Sequence, residues 1–252
     1  MQKKYTSLGL MSGTSGDGVD ASIISSDGLK EFEVIKDKYF EYDSSIYKKI
    51  HFLKDRIFNI QDLSKYSSDL KQLERDITLF HAKITKELNK KDENMIIGFH
   101  GQTIYHNAEE KISKQLGDGY LLNQLTKKRV IFKFRENDIL NSGEGAPLTP
   151  IYHQHLVTQK RIDLPVCVLN IGGISNITII KGPTGSYEIF SKDIGPGNCL
   201  IDEWIRKNTN KKFDENGSVG KSGKINQIIL NQTIENFNSF SYNKSLDIKD
   251  FD

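Results

Sequence analysis

Residues 13–20 (GTSGDGVD) are the first stretch of the 252-residue chain whose composition could support chemistry. Three glycines, two hydroxyl side chains and two aspartates lie there between apolar runs. Backbone N–H groups in such a turn can form a nest for phosphate oxygens, and an aspartate beside them can hold Mg²⁺, often through water. An ordinary Gly/Asp hairpin is the alternative. The spacing matches neither a Walker loop nor a dinucleotide-binding fingerprint.

Two later stretches combine glycines with polar residues. Gly172-Gly173 lies between two apolar runs, where it could let the backbone approach a ligand closely or simply turn a hairpin. Asp193 precedes Gly-Pro-Gly-Asn at the start of a predicted helix. A helix N-terminus favours anions, and a carboxylate there could act as a general base. The alternative is that Asp193 only caps the helix.

Several polar residues follow the apolar run at 95–99. His100, Gln102 and Thr103 offer donors and acceptors for sugar hydroxyls, although a lone histidine is usually structural. His153 and His155 are not predicted to bind a metal, because we expect a helix there and no cluster of Cys or Asp accompanies them.

Apolar patterning predicts the elements that must position these residues. Before residue 160 it predicts strands at 5–12, 18–26, 31–42, 95–99 and 129–132, and helices within 60–88 and at 118–125, 136–140 and 151–159. After residue 160 it predicts strands at 166–171, 175–180 and 187–190, a loop at 193–198, and helices at 199–208 and 224–237, the last with Ser222 as N-cap. Two halves, 1–160 and 161–252, are therefore expected around a cleft.

Composition narrows the class of protein. Apolar residues make up 37% and charged residues 27%, and the net charge of +2 gives no reason to expect nucleic acid or membrane partners. No apolar run approaches the roughly 18 residues of a membrane helix, and we expect no signal peptide. Cys167 and Cys199 are predicted to be reduced core residues. These features together predict a cytoplasmic location.

Six motifs, taken in order, form a specific series. They are GLMSGTSGDGVD, GFHGQTIYHN, QLGDGYLLNQLT, FRENDILNSGEGAPLTPIYHQ, VLNIGGISNIT and DIGPGNCLIDEW. The series closely resembles the anhydro-N-acetylmuramic acid kinase family, a branch of the actin/hexokinase-like superfamily, from about residue 6 onward. KSLDIKDF, at 244–251, also resembles a lysine-serine segment of that family.

The resemblance implies an α/β, two-lobed actin/hexokinase-like (ribonuclease H-like) fold. The lobe at 1–160 would carry the first phosphate loop, and the lobe at 161–252 the second glycine hairpin and the DIGPGN loop. The implied reaction is ATP-dependent: the enzyme hydrolytically opens 1,6-anhydro-N-acetylmuramic acid and phosphorylates O6, giving N-acetylmuramic acid 6-phosphate for peptidoglycan recycling.

The resemblance also assigns roles to residues. Asp193 would be the catalytic base, and Asp17 would hold Mg²⁺, in part through water. The ATP-binding residues would be Gly13, Thr14, Ser15, Gly16, Asp17, Gly18, Val19, Asp20, Gly172 and Gly173. The sugar-binding residues would be His100, Gln102, Thr103, Gly195 and Asn198. Expected partners are the sugar and ATP, and a homodimer is a family expectation.

One departure from the family affects these expectations. The family's chains continue into a glycine-rich adenosine-binding segment that is not found here, so the second lobe is expected to be incomplete. The alternative function is therefore a non-catalytic, truncated sugar-binding remnant. Uncovered apolar faces at 165–180 and 224–237 are expected to make the chain poorly stable or self-associating.

Overall fold

A computed structural model describes residues 3–88, 94–182, 188–238, 245–246 and 251. The chain divides into two compact units. The first comprises Met1–Leu148 and His155–Arg161, and the second comprises Thr149–Gln154 and Ile162–Asp252.

The first unit is built on a six-stranded mixed sheet with the order β3-β2-β1-β4-β5, in which β6 also pairs with β4. Its strands are β1 (Tyr5–Ser12), β2 (Gly18–Ser26), β3 (Phe32–Glu41), β4 (Ile96–Asn107), β5 (Ile112–Leu116) and β6 (Arg129–Phe132). The first three strands form an antiparallel meander, and β4 runs parallel to both β1 and β6. The carboxyl end of β1 therefore lies beside the middle of β4.

Helices cover this sheet: α1 (Ser44–Lys54), α2 (Ile60–Lys65), α3 (Ser67–Leu88), α4 (Gly119–Thr126) and α5 (Phe134–Leu140). Side chains recurring every three or four residues on α3, among them Leu73, Ile77 and Ile84, are buried in one apolar core with Leu8 of β1 and Phe99 of β4. The periodicity that predicts a helix here is thus the periodicity that fills the core. Helix α6 (Pro150–Lys160) contributes residues to both units.

The second unit contains a three-stranded antiparallel meander of β7 (Val166–Ile171), β8 (Ile174–Ile180) and β9 (Ile189–Pro196). The helices α7 (Cys199–Asn208), α8 (Ser218–Ser222) and α9 (Gln227–Asn238) follow, with a 3₁₀ turn at Glu215–Gly217. No helix in the described ranges combines the length and the apolar character that a bilayer crossing requires.

Most predicted elements are confirmed, but several bounds are wrong. The strand predicted at 95–99 continues to Asn107, because Gly101 takes a φ of +75° and the pairing with β1 shifts register there instead of ending. Helix α1 and strand β5 were not predicted, and the helical region 60–88 is divided at Tyr66. Residue 187 of the strand predicted at 187–190 lies outside the described residues.

Corrections in the second unit concern caps, loops and a cysteine. The predicted loop at 193–198 is wrong in its first part, since pairing with β8 extends β9 through Pro196. Ser222 does not cap the last helix; instead the Asn226 side chain accepts hydrogen bonds from the N–H groups of Ile228 and Ile229. Cys199 is buried as predicted, whereas Cys167 is exposed on β7.

Candidate active site

The first candidate site is the hairpin that joins β1 to β2, residues 13–17. The N–H of Gly16 donates to the carbonyl of Gly13 at 3.1 Å, and Gly16 has a φ of +68°. A Cβ at Gly16 would lie 2.7 Å from Cγ2 of Ile50. The positive φ and this lack of space both require a glycine here. Within the described parts of the chain, the N–H groups of Thr14 and Ser15 have no hydrogen-bond acceptor. The turn can therefore offer N–H groups to an anion.

Contacts with Tyr42, with His81 of α3 and with Gln102 of β4 hold this hairpin in place. The hydroxyl of Ser12 lies 2.7 Å from the Tyr42 hydroxyl and 3.4 Å from Nε2 of His81. The N–H of Tyr42 donates to the carbonyl of Asp17 at 2.9 Å. Nε2 of Gln102 donates to the carbonyl of Gly13 at 2.9 Å. Both ends of the hairpin are thus fixed by the core.

Two carboxylates lie close together, Asp17 on the hairpin and Asp20 at the start of β2. Burial and the neighbouring Asp17 carboxylate raise the pKa of Asp20. Oδ1 of Asp17 accepts a hydrogen bond from the Ser15 hydroxyl at 2.7 Å. Carboxylate oxygens suit Mg²⁺, which usually keeps several of its waters. In the described ranges there is no group of three or more His, Cys, Asp or Glu able to hold a metal, so this pair would supply only part of the coordination shell.

His100 is engaged through both ring nitrogens. Its Nδ1–H donates to the carbonyl of Gly101 at 2.8 Å, and its Nε2 accepts from Nε of Arg135 at 2.9 Å. Burial, followed by the Arg135 charge, lowers the pKa of His100 to about 4, so the imidazole is neutral near pH 7. Nη1 of Arg135 also donates to the carbonyl of Gly145 at 2.6 Å. His100 therefore helps to attach the loop around Gly145 to β4.

The other two predicted sugar ligands on β4 have different neighbours. Gln102 is fully buried against the hairpin, and among the residues that the structure describes its Oε1 has no hydrogen-bond donor. Oγ1 of Thr103 accepts from Nε2 of Gln115 on β5 at 3.3 Å. Three of the five predicted sugar ligands, His100, Gln102 and Thr103, thus lie in one strand, and Gln102 is the one in contact with the hairpin.

In the second unit, Asp193 lies on β9 opposite Asn176 of β8 and is only 7% exposed. Its Oδ2 accepts hydrogen bonds from the N–H of Leu246 at 2.9 Å and from the Ser245 hydroxyl at 3.2 Å. Its Oδ1 receives no hydrogen bond from any residue in the described ranges. The N-cap residue of α7 is Asn198, so the alternative that Asp193 caps this helix is wrong. A buried carboxylate with one oxygen fixed and the other unbonded is suited to general-base chemistry.

The glycine turn between β7 and β8 holds the start of α7. The carbonyl of Gly172 accepts from the N–H of Asn198 at 2.7 Å, and the carbonyl of Gly173 accepts from Gly197 at 2.8 Å and Cys199 at 3.3 Å. A Cβ at Gly197 would overlap the Gly172 carbonyl. These N–H groups are consequently not available to an anion at the N-terminus of α7.

Gly195 and Asn198 belong to this same turn-and-helix cluster. Gly195 pairs with Ser175 of β8, and the Ser175 hydroxyl donates to the carbonyl of Pro196 at 3.3 Å. The amide side chain of Asn198 lies 3.5 Å from the carbonyl of Ile171. Four predicted residues of the second unit, Gly172, Gly173, Gly195 and Asn198, are therefore brought together around one turn.

Sequence reasoning missed Ser245, Leu246, Tyr42 and His81. The resemblance of KSLDIKDF to a family segment was a signal for Ser245 and Leu246, although only 245, 246 and 251 of that stretch are described. His81 carried no signal, because a histidine on the apolar face of a helix is usually a core residue.

Comparisons with known proteins agree with the motif series. A protein-family model described as anhydro-N-acetylmuramic acid kinase matches residues 5–248. The curated protein "Anhydro-N-acetylmuramic acid kinase" of Pelagibacter ubique (strain HTCC1062) is 58% identical, with 100% of this chain and 68% of that protein covered. A protein of the same name from Gluconobacter oxydans (strain 621H) is 38% identical, with 90% of this chain and 63% of that protein covered. Another, from Agrobacterium fabrum (strain C58), is 37% identical, with 100% of this chain and 69% of that protein covered.

The chain thus spans about two thirds of the length of these relatives. Among solved structures, an exopolyphosphatase-like protein is 13% identical, and the match covers 81% of this chain and 59% of that protein. Its TM-score of 0.35 is too low to support a conclusion about this chain.

Proposed function

The chain belongs to the anhydro-N-acetylmuramic acid kinase family of enzymes, and we propose that it uses ATP to convert 1,6-anhydro-N-acetylmuramic acid into N-acetylmuramic acid 6-phosphate. The observation that carries this proposal is the Asp193 carboxylate, buried, oriented by two donors and unbonded at Oδ1. The product would re-enter cell-wall recycling in the cytoplasm. The non-catalytic alternative is not favoured, since the matched family and the named relatives are kinases.

Asp193 acts on water in the proposed reaction. Its Oδ1 accepts a proton from a water molecule as the water oxygen bonds to the anomeric carbon of the sugar. The bond from that carbon to O6 breaks, and O6 takes the γ-phosphoryl group, leaving ADP. Because Ser245 and Leu246 hold Oδ2, the carboxylate would need no reorientation during this step.

The hairpin at 13–20 would bind the ATP phosphates through the N–H groups of Thr14 and Ser15. Asp17, in part through water, and Asp20 would hold Mg²⁺, which when bound neutralises phosphate charge. Gly172 and Gly173 are proposed as a second phosphate contact, made by backbone atoms other than the carbonyls already in use. His100, Gln102, Thr103, Gly195 and Asn198 remain the proposed sugar ligands.

The architecture fits this assignment. A mixed α/β chain whose first unit has a central mixed sheet is consistent with a kinase of the actin/hexokinase-like superfamily. We propose that the two compact units correspond to the two lobes, with the boundary near residue 160.

The test is a phosphoryl-transfer assay with 1,6-anhydro-N-acetylmuramic acid, ATP and Mg²⁺. We expect wild-type turnover with a reducing sugar 6-phosphate as product. Asp193→Asn should lower kcat by about 10²- to 10⁴-fold, the usual contribution of a general base. Asp163→Asn, at an exposed position of the same unit, is the matched control and should be unaffected. Sugar binding by calorimetry with no wild-type turnover would favour the non-catalytic alternative.

A further inference from the structure

We propose that Lys54 is a positioning residue for nucleotide phosphate binding, acting through the Thr14–Ser15 peptide of the hairpin. Its ammonium group donates a hydrogen bond to the carbonyl of Thr14. This inference rests on the proposed function, because it takes the hairpin as the site of the ATP phosphates.

Helix α1 presents two side chains to the back of the hairpin. Ile50 and Lys54 are four residues apart and so lie on the same face of the helix. Ile50 is fully buried, and its Cγ2 fills the space in which a Cβ of residue 16 would lie. Lys54 reaches Thr14. The cap at Asp43, whose side chain accepts from the N–H groups of Ser45 and Ile46, fixes where this helix begins. One helix face therefore supports the turn with an apolar contact and a cation.

The position of Lys54 determines the direction of a donor. The Thr14–Ser15 peptide is trans, so its C=O and N–H point in opposite directions. With the carbonyl held by the ammonium group, the N–H of Ser15 faces the other side of the turn, where no residue in the described ranges accepts it. A cation bonded to the carbonyl also polarises the peptide, which strengthens its N–H as a donor to an anion.

The charges around the hairpin also support a role for Lys54 in phosphate binding. Asp17 on the turn and Asp20 at the start of β2 carry two carboxylates, and these repel a triphosphate. Lys54 is half-buried, so its charge is screened less than that of a fully exposed lysine. It therefore offsets part of the repulsion even without touching a phosphate.

The experiment compares Lys54→Met with Lys54→Arg, and uses Lys48→Met as the control on the exposed face of the same helix. ATP·Mg²⁺ affinity is measured by calorimetry on the full chain, and the KM values for ATP and for the sugar are measured separately. We expect Lys54→Met to weaken ATP binding about tenfold, with the sugar KM, kcat at saturating ATP and melting temperature unchanged. Lys54→Arg should restore most of the affinity, and Lys48→Met should have no effect.

Each outcome decides the proposal. If wild type binds ATP and Lys54→Met binds it equally well, Lys54 has no such role and the proposed function stands. If the substitution lowers ATP affinity but also raises the KM for the sugar and lowers the melting temperature, the role of Lys54 is general and structural, and the proposal is wrong. If wild-type protein fails to bind ATP at all, the proposed function fails and this inference fails with it.

Discussion

A hydroxyl and a backbone amide determine which way the Asp193 carboxylate faces. Ser245 and Leu246 lie 52 and 53 residues from Asp193 in the chain, yet both donate to the same oxygen, Oδ2. Hydrogen bonds to a carboxylate are stronger than those between neutral groups and also set its plane. The Ser245 side chain is the part of this arrangement that a substitution can remove without changing the backbone.

Ser245→Ala should lower kcat by about three- to thirtyfold while the KM values for ATP and sugar stay near wild type, because Asp193, the proposed base, would be present but less well oriented. Steady-state kinetics with both substrates varied would measure this. Ser218→Ala is the control, since it removes a Ser–Asp hydrogen bond of 3.3 Å to Asp214 on the surface of the same unit. Unchanged kcat in Ser245→Ala would show that the Leu246 amide alone orients the carboxylate.

Helix α3 links the core of the first unit to the hairpin through His81. The imidazole is fully buried, donates from Nδ1 to the carbonyl of Ile77 at 2.8 Å, and packs on Phe99 of β4 with ring centroids 4.8 Å apart. With Nδ1 donating, Nε2 is the acceptor that faces Ser12. Burial lowers the pKa of His81 from its ordinary value of 6.5 to about 4. The helix thus holds a neutral histidine directly behind the turn.

This predicts acid sensitivity with a definite sign. Between pH 6.5 and about 4 the unfolded chain binds a proton at His81 that the folded protein does not. The free energy of unfolding therefore falls as pH is lowered through this interval, and His81 accounts for at most about 3 kcal/mol of the loss. Above pH 6.5 the ring is neutral in both the folded and the unfolded state, so His81 causes no loss there.

Urea unfolding of wild type and His81→Gln at pH 7.5, 6.0 and 5.0 would measure the effect, with a shallower pH slope expected in the variant. An NMR titration of wild type should find the His81 ring neutral down to about pH 5. A ring that protonates near pH 6.5 in the folded protein would contradict the prediction.

The three-stranded sheet of the second unit exposes one apolar face. Cys167, Ile179 and Phe190 are cross-strand partners, and Leu169 pairs with Ile177 in the next row. Leu169, Ile171 and Phe190 are 53%, 59% and 51% exposed. The apolar exposure expected near residues 165–180 is confirmed, and Ile228 and Ile229 of α9 are exposed as well. Contiguous apolar surface of this kind favours association.

We therefore expect the purified chain to self-associate as its concentration rises, and the double substitution Leu169→Lys with Phe190→Lys to reduce this association. Sedimentation velocity over a concentration series would measure it. Leu29→Lys is the control, because Leu29 is 61% exposed at a turn of the first unit. A wild-type chain that stays monomeric and unfolds cooperatively would count against the prediction.

Local sequence patterns were enough to predict the features that depend on neighbouring residues. Alternation predicted β1 and β2, apolar spacing predicted α3, and the ordered motifs predicted the family that the comparisons identify. These succeed because a strand, a helix face or a glycine turn is encoded within a few positions of the chain. The extension of β4 and the strand position of Asp193 were not predictable in this way, because each depends on pairing with another strand.

The contacts between groups far apart in the chain depend on how the chain folds. Gln102 reaches Gly13 across 89 residues, His81 reaches Ser12 across 69, Ser245 reaches Asp193 across 52 and Lys54 reaches Thr14 across 40. No local pattern specifies such contacts, since they follow from how β4, α3 and α1 pack around β1 and from which strand lies beside which. The sequence therefore identified the hairpin and the carboxylate, and the fold determined which groups orient them.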